Sequence, residues 1–133
     1  MIFPYKEITP QIRRPIIPIT IKSDTRFILY HGLIDSGADH CIFSLEIAKE
    51  LGIKFSKENK LTFIGAGKEE IEGFWGEIDI RIDRITYTAR IIFAEISDFG
   101  HGILGQSGFF DHFDVKLSYQ EQIIEIEPVK LTN

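Results

Sequence analysis

The stretch that most constrains the fold is Glu77-Ile78-Asp79-Ile80-Arg81-Ile82. Isoleucine and charged residues alternate there with period two, so a strand gains one apolar face and one wet face. A helix would scatter the same residues around its axis. Residues 74–82 therefore read as a strand, and residues 85–94 as its partner. The rest of the chain repeats the preference. It holds 25 isoleucines and 11 phenylalanines among 133 residues, and β-branched and aromatic side chains suit a pleated, half-buried surface. Further strands are expected at 16–22, 26–34, 61–64, 114–118 and 122–127, with Ser23-Asp24-Thr25 as a turn and 97–102 as a loop. Pro15 and Pro18 imply that the first of these lies at an edge. Two short helices are expected. The first covers 45–51, with Ser44 as N-cap, Glu46 in the first turn and Gly52 as the stop. The second covers 106–113. Strands at this spacing predict a mostly β domain, a small barrel or sandwich.

Composition narrows the class. At 44% hydrophobic and 26% charged, the chain can bury a core and is not a disordered polymer. No apolar run approaches the ~20 residues of a membrane span, and Met1 to Glu7 lacks the basic start and apolar stretch of a secretory signal. Net charge is −5, and the sole adjacent basic pair is Arg13-Arg14, so a nucleic-acid partner is not expected. One cysteine, Cys41, cannot close an internal disulfide. The expectation is a soluble cytoplasmic protein without a nucleic-acid or membrane partner. There is no internal repeat. Residues 1–14 read as an N-terminal arm, 15–128 as the domain and 129–133 as a C-terminal tail.

Three stretches carry chemistry. In Leu33-Ile34-Asp35-Ser36-Gly37-Ala38-Asp39, a strand delivers an acid into a tight turn. Gly37 permits close backbone approach, and Ser36 puts a hydroxyl beside the acid. The plain reading is an Asx-turn, with Asp35 bonding its own backbone. In Ile103-Leu104-Gly105, two apolar residues and a glycine precede the aromatic run Phe109, Phe110 and Phe113; alone, this is a buried strand–helix junction. Between the two lies residues 65–73, whose Gly65, Gly67 and Gly73 allow a long mobile hairpin. The phosphate-loop pattern fails there, because Glu69 follows Gly67-Lys68 and Thr62 stands where a glycine is required. The dinucleotide fingerprint fails for want of a third glycine at position 70. His31, His40, His101 and His112 are too scattered for a metal site, and Asp111, His112 and Asp114 read as an exposed helix end. Cys41 reads as buried packing; Phe74 and Trp75 read as core packing or as lining of the cleft or the flap base.

In this order the three stretches resemble the retropepsin-like aspartic proteases, single-domain cellular and bacterial members included. The resemblance spans roughly residues 16–127. It implies a small closed β-barrel with two short helices and a flap hairpin, and an aspartic endopeptidase that needs no cofactor or metal. Asp35 is then the catalytic carboxylate, in an active-site loop with Ser36, Gly37 and Ala38. Ser36 makes bonds across the subunit boundary. Gly37 and Asp39 contact the substrate backbone. Gly65, Ala66, Gly67 and Lys68 belong to the flap that covers the peptide. Ile103, Leu104 and Gly105 support the loop. Two departures stand out. Ser36 replaces the usual viral threonine. Gln106 and Ser107 stand where viral members carry arginine and then asparagine or aspartate, so Asp39 loses a charged partner.

Hydrolysis by carboxylates needs one group to take a proton from water and one to give a proton to the carbonyl. The chain has one Asp-Ser-Gly, and Asp24-Thr25 is followed by Arg26. The second acid must come from a second copy, which makes a homodimer with a peptide or protein substrate the expectation. The alternative is a catalytically inactive module that keeps the fold for peptide binding or dimerisation.

Overall fold

The alternation at residues 77–82 does what its period dictates. In a computed structural model, which describes residues 1–65, 67–96 and 100–130, Ile78, Ile80 and Ile82 are buried while Glu77, Asp79 and Arg81 face solvent. Ala66, part of the loop expected at 97–102 and the last three residues of the expected tail lie outside the described residues. The strand is longer than its alternation. As β8 it runs Glu70–Ile82 and pairs antiparallel with β9, Ile85–Ala94, across a turn at Asp83 and Arg84. Asp83 sits at φ +53°, a region that aspartate tolerates better than branched residues.

Twelve strands are described. The chain opens with β1 (Ile2–Pro4), β2 (Lys6–Thr9) and β3 (Ile12–Arg14), followed by β4 (Ile16–Lys22) and β5 (Phe27–Ile34). Next come β6 (Ile42–Ser44), helix α1 (Leu45–Glu50) and β7 (Lys60–Ile64) before β8 and β9. It ends with β10 (Gly102–Leu104), β11 (Phe113–Ser118) and β12 (Ile123–Pro128). The main sheet runs β4-β5-β10-β6-β9-β8-β7, and β4 also pairs with β8. The chain ends make a second sheet, β1-β12-β11, and β2 and β3 form a separate exposed hairpin. The β4–β8 contact starts at Thr20, past Pro15 and Pro18, so upstream of it β4 has one neighbour, β5.

Two expectations need correction. The small closed barrel does not form. The main sheet bends into a ring of strands, but β4 and β8 meet over three residue pairs alone, and β7 hangs off the outside of β8. The chain-end strands leave to pair among themselves. The second helix, expected at 106–113, is also absent; among the described residues α1 is the one α-helix, beside a single 3-10 turn at Lys57–Asn59. Gly108 sits at φ +104°, outside helical geometry, and its N–H is taken by the Asp111 carboxylate at 3.0 Å. Phe109 and Phe113 still bury their rings, so the burial expected of a helix is met by a chain of turns.

Helix α1 follows its signals. The Ser44 hydroxyl accepts the Glu46 N–H at 3.2 Å, and Gly52 follows the end at φ +75°. The core lies inside the ring. Ile17, Ile21, Ile80, Ile91, Phe43 and Phe93 are fully buried there. No helix of the described residues is long and apolar enough to cross a membrane.

Candidate active site

Strand β10 decides where the acid sits. It has three residues, and it lies between β5, which enters the Asp35 loop, and β6, which leaves it. Its register is parallel to β5, Gly102 opposite Gly32 and Leu104 opposite Ile34, and antiparallel to β6, Ile103 opposite Ile42. Gly32 is required by that contact: a Cβ there would meet the Leu104 side chain at 2.7 Å.

The loop is held from its first residue. The Asp35 N–H donates to the Leu104 carbonyl at 3.0 Å. The Asp35 carboxylate accepts the Gly37 N–H at 2.9 Å, and the Ala38 N–H donates back to the Asp35 carbonyl at 3.2 Å. The Asx-turn read from the sequence is therefore present, and it orients the carboxylate. The next residues are pinned by the segment after β10. The Gln106 N–H donates to the Ala38 carbonyl at 2.8 Å, the Ser107 N–H to the Asp39 carbonyl at 2.9 Å, and the Cys41 N–H to the Ser107 carbonyl at 3.2 Å. The Gln106 side-chain amide donates to the Ser36 carbonyl at 2.7 Å. Gly105 lies against this turn so closely that a Cβ would overlap the carbonyl oxygens of His40 and Ala38. Its N–H points at the Cys41 sulfur, 3.4 Å away. That thiol is fully buried, and burial pushes its pKa up to about 12, so it is a neutral packing group.

In front of the loop is a groove of about 650 Å³, closed on the far side by the β7–β8 hairpin. That size suits a small-molecule or side-chain site. Asp35, Gly37, Ala38, Asp39, Gly65 and Ile103 all line it. Ser36, Leu104 and Gly105 stand outside the lining; the last two support the loop from behind, and Ser36 is exposed with its hydroxyl unpaired among the described residues. Gly67 and Lys68 lie on the exposed turn of the hairpin and do not line the groove. Ala66 lies outside the described residues. Strand pairing reaches Ile64 and Glu70, so the hairpin turn is tighter than the whole segment 65–73. The Gly65 N–H donates to the Glu69 carbonyl at 2.9 Å, the Lys68 N–H donates to the Gly65 carbonyl at 2.9 Å, and Lys68 takes φ +64°.

The sequence reading missed the groove's apolar surface. Its floor includes Ile103, Ile42 and Ile92, aligned across β10, β6 and β9. Leu61, Phe63 and Ile71 come from the hairpin. Leu61, Phe63 and Ile92 fall in expected strands, but nothing local says that strands so far apart in sequence share a floor. His40 also lines the groove, its ring packed edge-on against Trp75 at 5.1 Å. Arg90 lies 4.2 Å over the same indole, a cation–π contact that fixes Trp75 as a buttress. Phe74 stacks on Phe55 at 5.0 Å. Among the described residues, no group of three or more His, Cys, Asp or Glu is arranged to hold a metal ion.

A strand-borne acid in a glycine-gripped turn, facing an apolar groove under a hairpin, agrees with the comparisons. The family model described as aspartyl protease matches residues 17–107, more than half of the chain. The chain belongs to the aspartyl protease family. Three solved structures share its retropepsin-like fold. A retropepsin-like aspartic protease from Rickettsia conorii aligns over 96% of this chain and 97% of its own, at 15% identity and a TM-score of 0.65. The retroviral protease-like domain of Ddi1 from Leishmania major aligns over 90% and 92%, at 15% identity and 0.61. The EIAV protease, solved with an inhibitor, aligns over 75% and 88%, at 23% identity and 0.57. No curated protein sequence matches the chain.

Proposed function

We propose that the chain is an aspartic endopeptidase, a single-domain member of the cellular and bacterial kind, working as a homodimer. The observation that carries this reading is the position of Asp35. Its carboxylate is oriented by Gly37 at the mouth of the groove, on a loop tied to β10 at its first residue and to the segment after β10 beyond it. A binding module has no use for an acid held so firmly at that point. Residues 15–128 form the protease domain in this reading, 1–14 an arm and 129–133 a tail.

One carboxylate per chain cannot act as both base and acid in one turnover. Two Asp35 groups brought together by a two-fold axis share one proton, because both cannot stay charged at contact distance. This is the general arrangement of aspartic proteases, and the pair titrates as a unit. The ionised carboxylate takes a proton from water as the water attacks the peptide carbonyl. The protonated one hydrogen-bonds the carbonyl oxygen as charge develops there. Collapse of the tetrahedral intermediate breaks the C–N bond, and the leaving nitrogen takes a proton. The exposed Ser36 hydroxyl, unpaired among the described residues, is free to bond the second copy. An extended peptide fits between hairpin and floor with strand-like main-chain bonds.

Cleavage of a complex peptide library by wild type and Asp35→Asn, run in parallel, tests the proposal. The expected result is cleavage by the wild type and a loss of roughly a thousandfold or more in the variant. Equal cleavage by both would sink the assignment, as would a wild type that is active and strictly monomeric.

A further inference from the structure

The groove carries a charge imbalance. Its walls are isoleucine, leucine and phenylalanine, and its charged lining residues, among those described, are Asp35 and Asp39. Among the described residues, no lysine or arginine lines it. Asp35 spends one carboxylate oxygen on the Gly37 N–H. Asp39 spends none: its carbonyl is held by the Ser107 N–H, while its exposed carboxylate has no hydrogen bond or ion pair among the described residues. Of the cations near the groove, Lys68 lies on the exposed hairpin turn outside the lining, and two others are engaged elsewhere. Arg90 lies over Trp75, and Lys60 pairs with Glu72 at 3.1 Å. Gln106, the nearest long polar side chain on the supporting segment, is neutral and turned to the Ser36 carbonyl. The backbone bond from Ser107 fixes the Asp39 main chain at the groove's rim, and its exposed carboxylate is left without a partner among the described residues.

We propose that Asp39 makes this groove selective for a cationic group on the peptide, carried on an otherwise apolar segment. This deepens the reading of the groove as a peptide site and rests on it. Two sources supply such a group, the side chain of an internal lysine or arginine and the free α-amino group of a peptide's first residue. An apolar stem fits the isoleucine and leucine walls, and the charged head reaches the carboxylate at the rim. Asp39 is thus a specificity residue: it selects the peptide and takes no part in proton transfer.

The test uses apolar peptides whose central bond is a non-hydrolysable reduced amide, so that binding is read apart from catalysis. Three peptides are compared on the full-length protein: N-acetylated with an internal lysine, N-acetylated with norleucine in its place, and norleucine with a free amino terminus. The expected result is a Kd roughly fivefold lower for a cationic peptide than for the acetylated norleucine peptide, shrinking as salt is raised to 1 M. Which cationic peptide gains tells side chain from terminus. Asp39→Asn brings the ratio towards one, and Asp39→Lys turns the preference to a glutamate peptide. Equal binding of all three, or a preference that survives Asp39→Asn, overturns the proposal. Hydrolysable versions separate the two readings. Cleavage without charge preference removes this inference and leaves the protease. Charge-selective binding without cleavage removes the protease and leaves this inference.

Discussion

The two sides of the groove are built to opposite rules. The loop side is locked. Residues 35–41 exchange five backbone hydrogen bonds with Leu104, Gln106, Ser107 and one another; a Cβ at Gly105 would overlap backbone carbonyls, and one at Gly32 would have to displace the buried Leu104 side chain. The hairpin side is loose. Gly67, Lys68, Glu69 and Glu70 are all exposed, Ile64 shows 63% of its surface, and the Lys60–Glu72 ion pair stands in solvent. The glycines carry the contrast. Around Gly105 the obstacles are backbone carbonyls, which cannot step aside. Around Gly67 the obstacle is the end of the Glu69 side chain, which can. A hydrolytic site needs its acids fixed to a fraction of an ångström and its cover able to open, and under the proposed function the two walls divide those demands.

Gly105→Ala attacks the locked side most directly. It lowers the unfolding free energy by about 3 kcal/mol or prevents folding, whereas Gly67→Ala stays within about 0.5 kcal/mol. Urea melts of both variants measure the difference, and equal losses would break the contrast. Next in size is an alkaline effect beneath the loop. Burial raises the Cys41 thiol from 9.0 to about 12 in the folded chain. The unfolded chain therefore releases this proton first, and stability present below pH 9 is lost as pH climbs towards 12. Wild type minus Cys41→Ala isolates the group: a loss of about 1 to 2 kcal/mol is expected between pH 9 and pH 11. A flat difference would mean that the thiol is open to water.

Gln106→Leu removes one side-chain bond to the loop while leaving the backbone clamps intact. It costs about 1 kcal/mol of stability and lowers kcat roughly tenfold with little change in KM, since the acid rather than the apolar walls loses its support. A rise in KM alone would assign Gln106 to binding. Smallest is Glu72→Gln on the loose side. An exposed ion pair contributes at most about 1 kcal/mol and often nothing measurable, so Tm stays within about 4 °C. A larger fall would show the hairpin to be held more firmly than its exposure implies.

Much of this was readable in the residues, and the failures are instructive. The β8 alternation, the Ser44 cap and the Asx-turn at Asp35 are local devices, each complete within a few neighbouring residues, and each forms as written. The order of Asp35-Ser36-Gly37, the glycine hairpin and Ile103-Leu104-Gly105 marked the two walls of the site. The expected helix at 106–113 failed through one residue: the aromatic spacing suits a helix, but Gly108 turns to positive φ and Asp111 caps it from the side. The closed barrel failed because strand count does not say which strands share a sheet, and here the chain ends pair with each other. The isoleucine floor was invisible for the same reason. Its members become neighbours through β10 and β6, elements of three residues each, too short to announce themselves by period.

The brevity of β10 also has a kinetic consequence. It joins strand β5 to the loop's support across a long separation; the Gln106 bond to Ser36 alone spans 70 residues. Closing so large a loop costs entropy before three residues of pairing return any of it. The β8–β9 ribbon closes through a turn of two residues and bears no such cost. During refolding, sheet signal from that ribbon should come back first and catalytic competence last. A newly made molecule would thus carry most of its native sheet before the Asp35 loop is locked in place.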